Sequence, residues 1–313
     1  MKIVFAFCTY NRADRLKELV GAIRHQYCSE PFEILVVNNN STDNTIAILD
    51  TLAAEPGIKL RHVNEPQQGI SHARNRALEE AMSADFLYFM DDDELPQPGL
   101  LAASIDALAN EGADCTGGRI INYFEDGQRP KWLGDELLGF LAEINHGDET
   151  FWIEDESTPI WTSNVAYRME LFRSNPGLRF DVRYSREGKG VGGGEDVIML
   201  KKLLDMKAKI RYRPEMVVEH RVETWRLSKI YFLKLHFTSG MRTARYELKT
   251  HSRTLFGAPY FMYMQAVQQT CKALWMTLKK HPERVRQGMN ASHVFGMIYG
   301  CYLRKSRSTA AAV

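Results

Sequence analysis

Short apolar segments alternate with helical patterns through the first 121 residues, and this alternation limits the fold more than any other feature of the chain. Four of these segments have the length and composition of buried strands, at residues 2–8, 32–37, 58–63 and 85–90. Between them apolar residues recur at helical spacing, as in the helix predicted over 70–82. Repeated strand–helix units build a mostly parallel sheet with helices on both faces, so the sequence predicts an α/β fold.

The rest of the chain has a different pattern. Residues 122–165 have weak periodicity, which predicts loops and a few antiparallel strands. A helix is predicted over 195–206, a strand or strand pair over 209–219, and helices from Trp225 onward. We therefore expect two domains, an α/β domain over 1–225 and a helical, basic region over 226–313.

Composition narrows the class of protein. With 44% hydrophobic and 25% charged residues the chain has the make-up of a globular protein. No apolar run reaches 18 residues, so no membrane span is expected, and the strand-like start 2–7 lacks the cleavage site of a signal peptide. Five widely spaced cysteines, without metal-ligand spacing, favour reduced thiols in a cytoplasmic protein.

The small net charge of +1 hides a strong asymmetry along the chain. Residues 225–313 hold 15 lysines and arginines and 2 acidic residues, whereas the first 224 residues hold 25 and 37. An acidic N-terminal region followed by a basic C-terminal region predicts different functions for the two regions.

Three consecutive aspartates, Asp91-Asp92-Asp93, follow the apolar segment 86–90. Like charges at the end of a buried strand are costly unless a cation or hydrogen bonds compensate them. Ligands of α/β sheets bind at the carboxyl ends of the strands. In an extended chain Asp91 and Asp93 share a face and Asp92 points away, which predicts a Mg²⁺ or Mn²⁺ site with a phosphorylated ligand. An acidic loop is the alternative.

Polar residues also follow the other predicted strands. Thr9, Tyr10, Asn11 and Arg12 follow the first strand, and a run of asparagines that begins with Asn38 and Asn39 follows the second. Small polar groups and a ring beside a helix N-terminus can bind a base and its ribose, although a helix cap or an ordinary turn would use the same residues. Arg74, in the predicted third helix, could contact the nucleotide or form a surface ion pair.

A second acidic pair opens the helix predicted at 195. Gly192, Gly193 and Gly194 precede Glu195 and Asp196, and such glycines let the backbone approach a ligand closely. Either carboxylate could act as a general base, although acidic residues are favoured at helix N-termini in any case. His220 ends a predicted strand and could be a metal ligand or a structural histidine.

These segments, in this order, resemble family 2 glycosyltransferases with the GT-A fold. The resemblance covers about residues 1–245 and rests on Cys8–Arg12, Asn39–Asp43, Ala73–Asn75, Asp91–Asp93 and Glu195–Asp196. Pro130–Leu133, Gly193–Asp196 and Glu219–Val222, with Arg226 and Gly240, look like the succinoglycan-type glucosyltransferases of bacterial exopolysaccharide synthesis.

The resemblance implies inverting transfer of a hexose from a nucleotide-diphosphate sugar, most often a UDP-sugar, with a divalent cation as cofactor. Its functional positions fall on the nucleotide-binding residues Thr9, Tyr10, Asn11, Arg12, Asn38, Asn39, Arg74, Asp91 and Asp92. They also fall on the metal ligands Asp91, Asp93 and His220, and on Asp196 as the base with Glu195 beside it. Sugar and acceptor positions fall on Trp132, Trp161, Asn164, Gly193, Gly194 and Arg226. The family usually has aspartate where this chain has Asn38, which leaves the donor base open.

The basic C-terminal region mixes cationic and aromatic residues, a combination that suits an anionic membrane surface. We expect a lipid-linked saccharide acceptor and a peripheral location on the inner face of the cytoplasmic membrane. A helical pack that covers the first domain, or a homodimer contact, is the alternative. No nucleic-acid-binding motif is present, so no nucleic-acid partner is expected.

Two other functions compete with transfer. A sugar-1-phosphate nucleotidyltransferase would carry a glycine-rich loop after the first strand, and Cys8–Arg12 contains no glycine. A catalytically inactive nucleotide-sugar-binding protein would lack a base, and Glu195 and Asp196 are present.

Overall fold

A computed structural model describes residues 1–125, 127, 129–185, 190–249 and 251–310, with side chains as far as Arg304. Its strands are β1 (Ile3–Thr9), β2 (Phe32–Asn38), β3 (Leu60–Asn64), β4 (Phe86–Asp91), β5 (Glu94–Pro96), β6 (Cys115–Phe124), β7 (Phe151–Ile153), β8 (Asn164–Arg168), β9 (Ile210–Val222), β10 (Thr254–Leu255) and β11 (Ala258–Pro259). Its helices are α1 (Leu16–Arg24), α2 (Thr45–Ala54), α3 (Ile70–Glu80), α4 (Leu100–Ala109), α5 (Glu170–Ser174), α6 (Glu195–Asp205), α7 (Lys229–Tyr246), α8 (Tyr260–Leu278) and α9 (Arg284–Ala310).

One large sheet forms the centre of the α/β part, with the strand order β3-β2-β1-β4-β8-β6-β9-β5 and β7 beside β9. The first four strands in this order are parallel, as the sequence predicts. Every residue of β1 is buried, because its seven residues are almost all apolar and strands lie on both sides. The predicted α/β fold is confirmed.

The second half of the sheet is mixed. β8 runs antiparallel to both β4 and β6, and β6 runs parallel to β9. The sequence predicts no strand over 115–121, because Gly117 and Gly118 interrupt the apolar pattern. Both glycines are required by close packing, since a Cβ atom on Gly118 would lie 2.1 Å from the Met216 carbonyl oxygen. The register of β6 against β9 shifts between Gly117 and Arg119.

Element ends differ from the prediction by a few residues. β9 continues to Val222 rather than to 219, and α3 ends at Glu80 rather than at 82. The hairpin of β10 and β11 interrupts the region that is predicted to be helical from Trp225. Its strands are two residues long, too short to produce a detectable alternation of apolar and polar residues.

The chain forms two compact units. The first comprises Met1–Glu125, Leu141–Lys189 and Gly194–Val222, and holds the large sheet. The second comprises the described residues of Asp126–Phe140, Gly190–Gly193 and Glu223–Val313. The predicted single division at residue 225 stays a prediction. It does not account for the described residues of Asp126–Phe140 and Gly190–Gly193, which belong to the second unit although they precede residue 225.

Helices α7 and α9 of the second unit are in backbone contact through glycines. A Cβ atom on Gly296 would lie 2.0 Å from the Phe237 carbonyl oxygen, and one on Gly240 would lie 2.1 Å from the His293 carbonyl oxygen. Gly300 has the same relation to Met241, at 2.2 Å. The helices therefore pack at a separation that any larger residue at these positions would increase. No helix in the part of the chain that the structure describes has a stretch both long and apolar enough to cross a bilayer.

We expect Gly296→Ala to lower the free energy of unfolding of the second unit by about 1–3 kcal/mol, because the added methyl group must push two backbones apart. Gly288→Ala, in the same helix, is the matched control. Its Cβ atom would meet only the Leu233 side chain at 3.4 Å. The control should be neutral or stabilise by about 0.5–1 kcal/mol, since alanine favours a helix over glycine. Urea unfolding followed by circular dichroism measures both, and equal effects would contradict the packing argument.

Candidate functional site

The strand register brings the predicted polar residues to one edge of the sheet. Thr9 at the end of β1 pairs with Asn38 at the end of β2, and Cys8 pairs with Asp91 at the end of β4. These three strands are parallel neighbours, so the loops that follow them start side by side. The first, second and fourth predicted strands thus contribute to one surface, as the carboxyl-end rule for α/β sheets predicts.

Asn11 joins the loops after β1 and β2. Its backbone amide donates to Ser41 Oγ at 2.9 Å, and its side-chain Oδ1 accepts from the Thr42 amide at 2.7 Å. Asn11 has a left-handed backbone with φ of 53°, a conformation that asparagine tolerates better than most residues. Its side chain therefore holds two loops together, and its predicted contact with a nucleotide stays a prediction.

Asn39 joins the loop after β2 to the loop after β3. Its amide Nδ2 donates to the carbonyl oxygens of Glu65 and Gln67 at 3.1 and 2.7 Å, and its Oδ1 accepts from the Gly69 amide at 2.8 Å. Gly69 has a φ of +135°, and a Cβ atom there would lie 2.5 Å from Ser185 Oγ. The start of α3 is thereby fixed against the sheet edge.

The Asn38 side chain also forms hydrogen bonds within the protein. Its Nδ2 donates to Asn64 Oδ1 at 2.9 Å, and its Oδ1 accepts from the Ser41 amide at 3.3 Å. The buried Asn38 side chain thus links β2 to β3 and to the following loop. This arrangement supports the edge of the sheet.

A polar cleft opens at this edge. Five of the predicted nucleotide-binding residues line it together with two that the sequence does not single out, Gln68 and Ile70. The five are Thr9, Tyr10, Arg12, Asn39 and Asp92, and Cys8 completes the wall. Gln68 and Ile70 flank Gly69, so the glycine at the start of a predicted helix is the signal that could have indicated them.

The three aspartates form a turn rather than an extended segment. β4 ends at Asp91, Asp92 and Asp93 make the turn, and β5 begins at Glu94. The expectation that Asp91 and Asp93 share a face in an extended chain is therefore wrong. The turn directs the three side chains to three different neighbours.

Each aspartate has its own partner. Asp92 lies 3.9 Å from the Arg12 guanidinium at the cleft, and Asp93 lies 3.6 Å from His220 Nε2. The pairing of Glu94 with His220 between β5 and β9 brings the histidine to the turn. Its other ring nitrogen, Nδ1, lies 2.9 Å from Asn122 Oδ1, which orients the ring. Asn122 is a residue that the sequence does not indicate.

Asp91 is held by Arg74, the central cation of the site. Arg74 Nη2 donates to Asp91 Oδ1 at 2.9 Å, while Nη1 donates to Glu195 Oε1 at 3.1 Å and to Asp196 Oδ1 at 2.7 Å. The guanidinium is buried, with 3% of the side chain exposed. The three carboxylates raise the pKa of Arg74 well above its usual value and outweigh the opposing effect of burial. This charge remains at every accessible pH, and it joins the aspartate turn to the start of α6.

The carboxyl groups of the aspartate turn are crowded, and burial together with this crowding favours the protonated form of two of them. Burial, reinforced by Asp93, raises the pKa of Asp92 to about 7, even though Arg12 acts in the opposite direction. Burial and the nearby Asp91 and Asp93 also raise the pKa of Glu94 well above its usual value. Glu94 is 2% exposed and accepts a hydrogen bond from the Asp91 amide at 3.2 Å. Sequence reasoning missed Glu94, although it follows the aspartates directly.

The carboxylate and imidazole side chains at the aspartate turn suit a hard divalent cation whose remaining coordination positions are filled by oxygens of a bound phosphorylated molecule. Within the described ranges no three His, Cys, Asp or Glu side chains converge on one point. Mg²⁺ and Mn²⁺ sites that hold phosphorylated ligands commonly use one or two carboxylates plus phosphate oxygens and water, so a convergent triad is not required. The crowded carboxylates, with the pKa of Asp92 and Glu94 raised, are the feature of this structure that a cation would relieve.

The two acidic residues at the start of α6 differ in access. Glu195 is 5% exposed, and its Oε2 accepts from the Gly194 amide at 3.0 Å. Gly194 has a φ of +139°, and a Cβ atom there would lie 3.0 Å from the Tyr184 ring. Asp196 keeps 24% of its side chain exposed. A substrate hydroxyl can therefore reach Asp196 more readily than Glu195.

Asn164, predicted to contact sugar or acceptor, is fully used inside the protein. Its Nδ2 donates to the carbonyl oxygens of Arg119 and Met216 at 2.8 and 2.9 Å, and its Oδ1 accepts from the Tyr88 hydroxyl at 2.7 Å. This amide ties four strands together. Trp161 is half-buried against the same core, and its carbonyl oxygen accepts a hydrogen bond from the backbone N–H of Asn164 at 2.9 Å. A sugar contact for either residue stays a prediction.

Three other predicted sugar or acceptor residues belong to the second unit. Trp132 packs its ring edge-on against Phe232 at 5.3 Å, and Arg226 Nε donates to the Tyr231 hydroxyl at 3.3 Å. The Gly193 carbonyl oxygen accepts from Arg242 Nη1 at 2.5 Å. These contacts organise the second unit, and roles in substrate binding stay predictions.

Comparison with known proteins identifies the family. The family model for Glycosyl transferase family 2 matches residues 5–175, which is more than half of the chain. The chain therefore belongs to glycosyl transferase family 2, and its fold is the GT-A fold that the resemblance implies.

Two curated relatives illustrate the range of similarity. The chain is 26% identical over 257 residues to the succinoglycan biosynthesis protein ExoM of Rhizobium meliloti (strain 1021), a match that covers 82% of this chain and 75% of ExoM. It is 34% identical over 111 residues to YfnE, an uncharacterized glycosyltransferase of Bacillus subtilis (strain 168). That match covers 36% of this chain and only 28% of YfnE.

Among solved structures, the fold is similar to the mannosyltransferase PcManGT from Pyrobaculum calidifontis in complex with GDP-Man and Mn²⁺. The TM-score is 0.62 at 19% identity, with 96% of this chain and 87% of PcManGT covered. GalNAc-T7 with UDP, GalNAc and Mn²⁺ gives a TM-score of 0.53 at 16% identity, over 80% of this chain and 52% of GalNAc-T7. At these identities the likeness establishes the fold alone.

We expect Arg74→Met to lower the free energy of unfolding by about 3–5 kcal/mol, because it leaves three carboxylates without their buried counter-charge. Arg76→Met, on the same helix, is the matched control. Arg76 pairs with Glu80 at 2.7 Å on the surface, and such pairs contribute about 0–1 kcal/mol. Guanidinium chloride unfolding measures both variants. A comparable decrease in the free energy of unfolding for both variants would contradict the role of Arg74 as the buried counter-charge of the three carboxylates.

Proposed function

We propose that this protein is an inverting glycosyltransferase that moves a hexose from a nucleotide-diphosphate sugar, with UDP as the expected nucleotide, to a hydroxyl group of a saccharide. The observation that carries the proposal is the Arg74 cluster. One buried guanidinium binds Asp91, beside the cleft and the aspartate turn, and Asp196, the accessible carboxylate of α6. Diphosphate-binding and proton-accepting groups are thereby held at a fixed separation.

The polar cleft is the proposed donor site. Tyr10 offers a ring for stacking, Arg12 a positive charge, and Thr9 a small polar group. The solved structures support a nucleotide donor, since PcManGT is in complex with GDP-Man and GalNAc-T7 with UDP. Because Asn38 is hydrogen-bonded to Asn64 and Ser41, we place recognition of the base on neighbouring groups of the cleft rather than on the Asn38 amide.

A divalent cation at the donor diphosphate would take one or two of the predicted ligands Asp91, Asp93 and His220, with phosphate oxygens and water as its other ligands. A bound Mg²⁺ or Mn²⁺ supplies charge stabilisation for the departing nucleoside diphosphate. The protein's own contribution is to keep Asp93 beside a histidine whose ring is oriented by Asn122. The crystallisation of PcManGT and GalNAc-T7 with Mn²⁺ supports this choice of cofactor.

Asp196 is the proposed general base. The acceptor hydroxyl oxygen forms a bond to the anomeric carbon, the bond from that carbon to the diphosphate oxygen breaks, and the hydroxyl proton passes to Asp196. Attack from the face opposite the leaving group inverts the anomeric configuration in a single displacement. Arg74 positions the Asp196 carboxylate at 2.7 Å, and the buried Glu195 shares that cation beside it.

The proposed acceptor is a saccharide of a bacterial cell-surface polysaccharide under assembly, carried on a lipid. The similarity to a succinoglycan biosynthesis protein over 82% of this chain supports it. A sugar-1-phosphate nucleotidyltransferase is disfavoured because the family model covers residues 5–175 and the loop after β1 contains no glycine. An inactive binding protein is disfavoured by the accessible Asp196 at the site.

We expect Asp196→Asn to reduce turnover by about a hundredfold or more while donor binding changes little, because asparagine keeps the shape but cannot accept the proton. The matched control is Asp205→Asn at the exposed end of the same helix, which should retain wild-type turnover. Release of nucleoside diphosphate from a panel of nucleotide sugars measures turnover, and calorimetry measures donor binding. Unchanged turnover in Asp196→Asn would remove it as the base.

We also expect donor binding to require a divalent cation. In a thermal-shift panel of nucleotide sugars, a selective donor should raise the melting temperature with Mn²⁺ or Mg²⁺ and fail to do so with a chelator. Asp93→Asn should lose most of this cation-dependent shift, whereas the surface control Asp14→Asn should keep it. A donor-induced shift that persists in excess chelator would contradict the cation role.

A further inference from the structure

Helix α8 carries a large apolar face that no part of the described protein covers. Met262, Ala266 and Met276 are buried on the inner side of the helix. On the opposite side six apolar side chains are between 55% and 83% exposed. We call these six residues the outer face of α8, and they are Tyr260, Met264, Val267, Leu274, Trp275 and Leu278.

The outer face is a continuous stripe rather than scattered residues. Its members are separated by 4, 3, 7, 1 and 3 residues from the first residue of the helix to the last, and at 3.6 residues per turn these spacings place all six on one side. Isolated exposed apolar residues are ordinary, but a stripe that runs the whole length of a helix indicates a binding surface.

The hairpin that precedes α8 extends the apolar surface. Leu255 and Phe256 at its turn are 41% and 66% exposed. The Tyr263 hydroxyl donates to the Leu255 carbonyl oxygen at 2.7 Å, which holds the hairpin against the first turns of the helix. Both apolar features therefore belong to the same part of the second unit.

The charged residues of this segment are all basic. Residues 248–282 contain five lysines and arginines and no aspartate or glutamate. Lys272 and Lys279 are exposed and lie three residues before and four residues after Trp275, along one margin of the outer face. An apolar stripe with cationic neighbours is the pattern of helices that lie in a bilayer interface, with the apolar side in the acyl region and the cations among headgroups.

We propose that the outer face of α8 and the adjacent hairpin turn bind an anionic lipid bilayer, with the helix lying along the surface. A second copy of the chain fits this face less well. A symmetric contact places the same surface of both copies together, so it would bring Lys272 and Lys279 of one copy near those of the other, with no acidic residue in 248–282 to pair with them. Anionic headgroups supply the missing negative charge.

Vesicle flotation with the full chain tests this binding, and it needs no sugar donor, so it is independent of the transferase proposal. The wild-type protein should float with phosphatidylcholine vesicles that contain phosphatidylglycerol, less so at high salt, and far less with phosphatidylcholine alone. The triple variant Met264→Gln, Leu274→Gln, Leu278→Gln should bind roughly tenfold more weakly or worse, because three inserted side chains are lost. Met206→Gln, at an exposed methionine of the first unit, is the matched control and should bind like the wild type.

Quenching by brominated lipids separates insertion from adhesion. Tryptophan fluorescence should be quenched by brominated anionic vesicles, and the quenching should fall sharply in Trp275→Phe but not in Trp152→Phe, whose site lies in the first unit. Circular dichroism confirms that each variant is folded.

Three results would overturn the proposal. The wild-type protein could fail to float with anionic vesicles, or the triple variant could float as well as the wild type. Sedimentation could instead show a wild-type dimer that the triple variant dissociates while vesicles remain unbound, and the face would then belong to a second copy.

Discussion

The buried guanidinium of Arg74 is the interaction on which the site depends. Three carboxylates from two distant parts of the chain, Asp91 on one side and Glu195 and Asp196 on the other, lie within 3.1 Å of it. Without this cation their mutual repulsion and burial would separate the end of β4 from the start of α6. An arginine suits the position because its charge persists at all relevant pH values and its planar fork can bind several carboxylates at once.

The site remains crowded with carboxyl groups even with Arg74 in place. Burial together with neighbouring carboxylates raises the pKa of both Asp92 and Glu94, so the free protein holds a cluster whose full ionisation is unfavourable. In the proposed transferase a divalent cation would relieve this repulsion and would favour the binding of the donor diphosphate. The asparagines at the ends of β1 and β2 serve a different purpose, because their hydrogen bonds lock three loops into one rigid edge.

The helices of the second unit pack through close backbone contacts. Glycines at 240, 296 and 300 allow α7 and α9 to pack backbone against backbone. Helix α8 has one side buried and the other exposed. The unit thus presents an apolar, cationic surface on α8, in agreement with the excess of basic residues over 225–313.

The sequence by itself determined the class of fold, the parallel half of the sheet and the family, because strand–helix alternation and the spacing of short motifs are local properties of the chain. It also identified most residues of the cleft, since parallel strands must end at one edge. Only the tertiary structure decided how those residues are used. Asn11, Asn38 and Asn164 have their amides engaged by partners from other segments, Glu94 is drawn into the aspartate cluster by the pairing of β5 with β9, and Arg74 meets residues more than 100 positions away. A pattern of neighbours along the chain cannot show such contacts, because side-chain partners depend on register, turns and packing between segments that are distant in sequence.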